Sequence, residues 1–312
     1  MSRRILLTGA HGFIGSHLTR RLVAGGHDVG IICREQSDTG RIADIIDDIE
    51  ILNSDIRDLA ATSGIVSSFA PDVVIHLATS YAVEHTPAEI GAMMDTNVKA
   101  TVNLIDSSAR SGAGLFINVS TCAVYKDTGR KLSETDRLAP QNLYALTKLH
   151  SEEACSFYSS YESLPCTTLR LFPPYGPSDN ARRLLPYLIR CYQDGVSPDL
   201  TTGKQKWDFV YVEDIVDAFV LAFDRGTGGA GHEIYNVGTG EPIAVRDVVE
   251  SIKSIMGVDE ESRWGALPHR KNEVWYNSAD IERIGSKLGW KPSTSIEDGL
   301  KKTVEWFTSS RE

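Results

Sequence analysis

Short, continuous apolar runs alternate with longer stretches of helical period through the first half of the chain. The runs RILL, VGIIC, DVVIHLA and GLFINVS lack polar alternation, as strands buried on both faces of a parallel sheet require. The pattern predicts strands over Arg4–Leu7, Asp28–Cys33, Ile49–Asn53, Val73–Leu77, Leu115–Ser120 and Thr167–Phe172. Helices are predicted from the first glycine turn to about Ala24, from Met93 to Ser111, and from about Tyr144 to Tyr161. Repeated strand–helix–strand units give an α/β fold with a doubly wound parallel sheet. After Phe172 the run Pro173, Pro174, Gly176, Pro177 breaks the period, and shorter elements follow. Residues 1–172 are therefore expected to form the sheet domain. Residues 173–312 are expected to build mainly a smaller C-terminal α/β substrate lobe, with some chain returning to the sheet.

The first strand runs into Thr8-Gly9-Ala10-His11-Gly12-Phe13-Ile14-Gly15, which opens the first helix. Glycine permits positive φ, removes Cβ where a pyrophosphate must approach, and bares helix N-terminal amides to an anion. A tight strand–helix turn would by itself also favour glycine. In its βαβ setting the loop predicts dinucleotide binding on a Rossmann-type sheet. The second strand ends Ile31-Ile32-Cys33-Arg34-Glu35. An acidic residue there would hold ribose hydroxyls and repel a 2′-phosphate, whereas Arg34 offers donors to that phosphate or a plane for adenine. NADP(H) is thus preferred and NAD(H) remains possible, since Glu35 can point inward instead.

Tyr144 and Lys148 stand one helical turn apart, on one face. A neighbouring ammonium stabilises phenolate, which is expected to lower the Tyr144 pKa towards values useful in acid–base work. The spacing alone is common. Ser120-Thr121, at the C-terminal end of the fifth strand where ligands of open α/β sheets gather, gives it a partner. Thr121 and Tyr144 are expected to hold a reacting oxygen between their hydroxyls.

Composition narrows the range of functions. A formal charge of −10 argues against a nucleic-acid partner, which needs clustered Lys and Arg. Five scattered cysteines without a CxxC read as reduced thiols of a cytoplasmic protein. No apolar run approaches the roughly 20 residues of a membrane span, and Met1–Arg4 runs straight into a strand without a signal peptide. His76 and His85 have no companion set for a metal, and core or surface places are expected for them.

The motifs TGAHGFIGSHL, Asp55-Ile56-Arg57, VIHLAT, Asn97-Val98-Lys99-Ala100-Thr101, VSTCAVY, YALTK, LRLFPPYGP, DFVYVEDIVDA, YNVGTGEP and LGWKPSTSIEDGLKKTVEW run nearly end to end. Together they resemble the extended short-chain dehydrogenase/reductase family, the group of nucleotide-sugar epimerases, dehydratases and ketoreductases. The resemblance implies that Gly9, Gly12, Phe13, Ile14 and Gly15 hold the pyrophosphate and that Asp55 and Ile56 lie against adenine. It implies that Leu77 and Ala78 line the cofactor, that Asn97 supports the active-site helix, and that Phe172–Tyr175 borders the nicotinamide. Thr121, Tyr144 and Lys148 become the catalytic set, with Lys148 also reaching the cofactor ribose. A homodimer packed through the helices starting near Met93 and Tyr144 is implied as well.

The departures are informative. The family's 4,6-dehydratases carry Asp-Glu directly after the threonine, and here Cys122 and Ala123 stand there. Elimination of water loses its acid and base, which leaves plain redox chemistry or epimerisation through a transient ketone. Pro173 replaces a frequent Asn, and Lys206 stands before Trp207-Asp208-Phe209 where Arg is frequent. Arg270 matches the other clamp arginine, although Asn272 replaces a usual Gly. Lys206 either compensates as a point charge or is a surface lysine. Within Ser178–Ile189, Arg182 and Arg183 either face a phosphate or form the wet side of a helix beginning near Ala181. The expected function is an NADPH-dependent ketoreductase acting on a nucleotide-linked keto-deoxysugar at C4, with Tyr144 as proton donor. An NAD-dependent nucleotide-sugar 4-epimerase is the alternative.

Overall fold

The computed structural model describes residues 2–225 and 231–309. The elements of the first half follow the apolar runs closely: β1 Arg4–Thr8, α1 Phe13–Ala24, β2 Asp28–Cys33, β3 Glu50–Asn53, α2 Leu59–Phe69 and β4 Val73–His76. Next come α3 Glu89–Met94, α4 Ala100–Ser111, β5 Leu115–Thr121, α5 Leu143–Tyr161 and β6 Cys166–Leu171. The helix expected from Met93 begins earlier, at Glu89, and a π turn over Asp95–Lys99 interrupts it. That extra residue in the turn carries Asn97 inward, and π turns often mark such functional sites.

Seven parallel strands form the sheet in the order β3-β2-β1-β4-β5-β6, with His232–Val237 as the last edge strand. Sequence periodicity did not single out this seventh strand. Only its second half is buried, so it shows no continuous apolar run. The strand order reverses between β1 and β4, which places the ligand crevice at their C-terminal ends.

Two apolar layers cover the sheet. Leu6, Val66, Leu104, Ile105 and Phe116 pack one face, built largely from α2 and α4. The other layer joins α1 to later chain: α6 Leu184–Gln193 and α7 Val212–Arg225 follow β6, and of these α7 supplies Ile215 and Phe219. Beyond α8 Val245–Met256, the helix α9 Glu282–Leu288 and Trp290 also join this layer. A separate core unites α6, α8 and α10 Ile296–Ser309 through Leu188, Ile189, Val249, Ile252 and Leu300. Phe13 and Ile14 touch this second core, so the glycine loop lies at the junction of the two.

Asp208, fully buried, ties the late segments together. Its Oδ1 accepts from Thr239 N and Oγ1 at 2.7 and 2.6 Å, and its Oδ2 accepts from Gly240 N and Ala279 N, both at 2.8 Å. Four donors offset the cost of burying the carboxylate.

Candidate active site

The glycine loop has no room for side chains. Gly9 has φ +72°, and a Cβ there would meet Ala78 N at 2.7 Å and Leu77 C at 2.8 Å. A Cβ on Gly15 would run into the carbonyl oxygen of Gly9. The loop is closed by Gly12 N donating to Gly9 O at 3.0 Å, and Ser16 N returns to Gly12 O at 2.9 Å. Gly12 caps α1 without a side-chain bond, and no acidic residue occupies the first turn. The amides of that turn therefore lack an intrahelical partner and suit a pyrophosphate. Leu77 and Ala78, against Gly9, wall the same crevice.

At its far end, β2 stops on buried Cys33, and Arg34 is exposed beyond it. Arg57 grips Asp55 through Nε at 2.9 and 3.0 Å, which with its charge holds the Asp55 carboxyl down at about 2. Arg34 is near enough to add to that depression and also to lower His11 of the glycine loop, whose main cause is burial. Ile56 is buried beside Asp55, and its carbonyl accepts from Asn103 Nδ2 at 3.1 Å.

Beneath the crevice runs a buried polar chain. Ala78 N donates to Thr8 Oγ1 at 3.2 Å, and Thr8 Oγ1 meets His76 Nδ1 at 2.7 Å. His76 Nε2 meets Thr101 Oγ1 at 2.9 Å, and that hydroxyl donates to Asn97 O at 2.8 Å. Because Thr101 gives its proton to Asn97, Nε2 must donate and Nδ1 must accept from Thr8. That assigns one neutral tautomer, in keeping with burial, which pushes the His76 pKa down to about 3. Asn97 does not line the crevice with a free amide. Its Nδ2 donates to Ser80 O at 2.8 Å and Thr147 Oγ1 at 2.9 Å, while its Oδ1 accepts from Ser80 N at 2.7 Å. It clamps the loop after β4 to α5, because the π turn drives it into the gap.

Asn142 caps α5 by accepting from Ala145 N at 2.8 Å, and one face of the helix then carries Tyr144, Lys148 and Glu152. Lys148 is 1% exposed, and burial brings its pKa down to about 8. The expected lowering of the Tyr144 pKa is absent. Burial pushes the phenol up, Tyr81 and Cys122 push further, and Arg183 is the group that draws it down. Tyr81 meets Tyr144 edge to face with centroids 4.8 Å apart, although Tyr81 as a residue is 59% exposed. At the end of β5, Thr121 Oγ1 accepts from Ala123 N at 3.2 Å, leaving its proton to donate. Burial, with the Asp208 carboxylate nearby, pushes the Cys122 thiol up to about 12, so it stays neutral.

One turn beyond Lys148, Glu152 bonds Arg170 of β6 through Nη2 at 2.7 Å and Nε at 3.0 Å, with both side chains at most 3% exposed. Ser120, beside Thr121, also donates to Glu152. Arg170 Nη1 reaches Tyr125 OH at 2.8 Å, and Tyr125 donates to Asn236 Oδ1 at 2.6 Å. This buried network locks α5 to β5, β6 and the edge strand behind the Tyr–Lys face.

Residues 5–238 match the model of the NAD-dependent epimerase/dehydratase family. The chain belongs to that family. Among its relatives, the CDP-abequose synthase of Salmonella typhimurium is 27% identical over 310 residues, spanning 96% of this chain and 97% of the relative. The UDP-glucose 4-epimerase of Mycolicibacterium smegmatis is 30% identical over 316 residues, spanning 97% and 98%. Among solved structures, the UDP-glucose 4-epimerase of Thermotoga maritima with UDP-glucose superimposes with a TM-score of 0.92 at 29% identity, covering 99% of each chain. The anticipated family and the Rossmann-like fold are both borne out.

Other anticipated family positions are placed less centrally. Phe172 and Tyr175 are buried side chains, so the stretch expected at the nicotinamide presents the half-buried Pro173 and Pro174 instead. Lys206 and Arg270 are both exposed. Lys206 lies on the two-residue strand Lys206–Trp207. Arg270 lies on a loop whose Asn272 Nδ2 donates to Gln141 O at 3.3 Å, beside the α5 cap. Arg182 is exposed on the turn before α6, which begins at Leu184 rather than near Ala181. Arg183 is the half-buried one: it donates to Asp179 Oδ1 at 3.3 Å and acts on Tyr144. Tyr81, Glu152 and Arg170 were not anticipated. Glu152 had a signal, since it continues the four-residue spacing of Tyr144 and Lys148. Tyr81 had only an aromatic ring in a polar loop.

Proposed function

We propose that this family member is an NADPH-dependent ketoreductase that reduces a nucleotide-linked keto-deoxysugar at C4. The observation carrying this reading is the pair after Thr121: a neutral Cys122 thiol and Ala123, neither of which serves as the carboxylic acid and base of water elimination. Exposed Arg34, which stands between the last residue of β2 and Glu35, supports NADPH within an NAD-dependent family.

The bound dinucleotide supplies the hydride. Thr121 and Tyr144 orient the carbonyl oxygen, and Tyr144, whose burial keeps the proton on the phenol, gives it up as negative charge develops on that oxygen. Lys148 sits on the same helix face and stabilises the phenolate left behind while its ammonium is charged. Its folded pKa is lowered, so the charge is present below about 8 and lost as pH rises through that value. The expected pH profile of kcat/KM for reduction therefore falls above about 8. A profile flat to pH 10 would exclude the Lys148 role. Exposed Lys206, Arg270 and Arg182, with Arg183 deeper, are proposed as the cations for the substrate diphosphate.

The experiment is purified protein with NADPH and a panel of dTDP-, CDP- and UDP-linked 4-keto-6-deoxyhexoses. Net oxidation of cofactor with one of them is expected, and none with any of them sinks the reading. A nucleotide-sugar 4-epimerase is the second reading, favoured by the likeness to the two UDP-glucose 4-epimerases. Tightly retained NAD(H), with UDP-sugar interconversion and no net consumption, marks that outcome.

A homodimer is proposed through the outer faces of α3, α4 and α5, where Ile90, Val102, Leu146, Phe157 and Tyr161 are exposed. Phe157 and Tyr161 stack there with centroids 5.3 Å apart, forming an apolar patch suited to a copy of itself. Light scattering is expected to give twice the chain mass, and Phe157→Glu half of that. A monomeric wild type rejects the interface. Five unpaired thiols support a cytoplasmic setting. Among the described residues no helix is long and apolar enough to cross a membrane.

A further inference from the structure

We infer that Arg41 is a cofactor-retaining residue, whose guanidinium joins the connection after β2 to the Pro177–Asp179 turn and closes the crevice over the glycine loop. Arg41 Nε donates to both the carbonyl and the hydroxyl oxygen of Ser178, each at 3.1 Å. One partner follows β2 and the other follows β6, and β1 with its glycine loop lies between those strands in the sheet. Arg41 is close enough to His11 of that loop for its charge to act on the imidazole.

Both ends of the link are held from behind by α1. Arg20 donates to Arg41 O and pairs with both oxygens of Asp44 at 2.7 Å, which fixes the backbone from which the arm springs. His17 meets Pro177 O at 3.0 Å and Glu213 Oε1 at 2.6 Å, which fixes the turn. Ser178 has φ +66°, a left-handed conformation that a serine keeps only where its surroundings impose it. The turn also carries buried Asp179, which bonds Arg183, the cation acting on Tyr144. Moving the turn therefore opens the crevice and withdraws Arg183 together. A dinucleotide on the glycine loop leaves only after Arg41 and Ser178 part. The inference rests on the dinucleotide lying over that loop and not on the identity of the sugar.

The test is the release of NADPH and, separately, NADH from the full-length enzyme, followed by stopped-flow fluorescence after mixing with excess oxidised cofactor. Arg41→Ala is expected to release both cofactors about 10-fold faster, the equivalent of one charge-assisted hydrogen bond, with association little changed. Ser178→Ala keeps the carbonyl acceptor and is expected to fall between. Arg41 is exposed, so its removal is expected to leave the thermal midpoint unchanged. Release at the wild-type rate overturns the inference, as does a wild type that holds neither cofactor. Faster release confined to NADPH overturns it too, because that places Arg41 on the 2′-phosphate instead of the closing turn. No sugar enters the assay, so failure here and failure of the proposed reaction are separate results.

Discussion

Tyr144→Phe is expected to lower the turnover of sugar reduction by about 10²–10⁴-fold, the usual weight of a positioned general acid, while cofactor affinity stays nearly unchanged. The substitution removes one hydroxyl and keeps the ring. Its edge-to-face contact with Tyr81, at 4.8 Å between centroids, survives, and so does the Asn142 cap that starts α5. Neither residue after Thr121 brings a carboxylic acid to replace it: they are Cys122, whose thiol is pushed up to about 12, and Ala123. Steady-state reduction and cofactor titration on the same preparation check this together. Activity above a tenth of wild type would remove Tyr144 from the proton path. Loss of cofactor binding would mean that its role is structural.

Arg170→Met is expected to cost about 3–5 kcal/mol of folding stability, because it strands the Glu152 carboxylate in the core. Arg170 and Glu152 are 2% and 3% exposed, so neither charge is solvated directly. The double variant Arg170→Met with Glu152→Leu is expected to recover much of the loss, since it removes both charges together. Urea unfolding of wild type, Arg170→Met, Glu152→Leu and the double variant gives the cycle. A single variant within about 1 kcal/mol of wild type would show that the pair contributes little, as exposed pairs do.

The fold was legible because parallel strands buried on both faces must be apolar throughout, so β1, β2, β4 and β5 announced themselves. The edge strand His232–Val237 did not, since its exposed first half breaks the run. The glycine loop and the Tyr144–Lys148 spacing were legible because their geometry is local. Asn97 was legible as a support for α5, but not its means, the π turn that no periodicity shows. Burial escaped the sequence altogether: the lysine was expected to lower the phenol pKa, yet packing around Tyr144 raises it. Long-range pairs such as Glu152 with Arg170, and Arg183 rather than Arg182 beside Tyr144, depend on how elements dock and are not written in any window of residues.

Deuteride labelling follows the proposed hydride from the cofactor to the sugar. The enzyme is given NADPH carrying deuterium at both nicotinamide C4 positions and a nucleotide-linked 4-keto-6-deoxyhexose, and the product is read by mass and NMR. One deuterium at sugar C4 is expected for each cofactor oxidised, with incorporation about 10²–10⁴-fold slower for Tyr144→Phe. A cofactor that keeps its deuterium beside an unreduced 4-keto sugar, or a reduced sugar without deuterium at C4, would contradict the proposed hydride transfer.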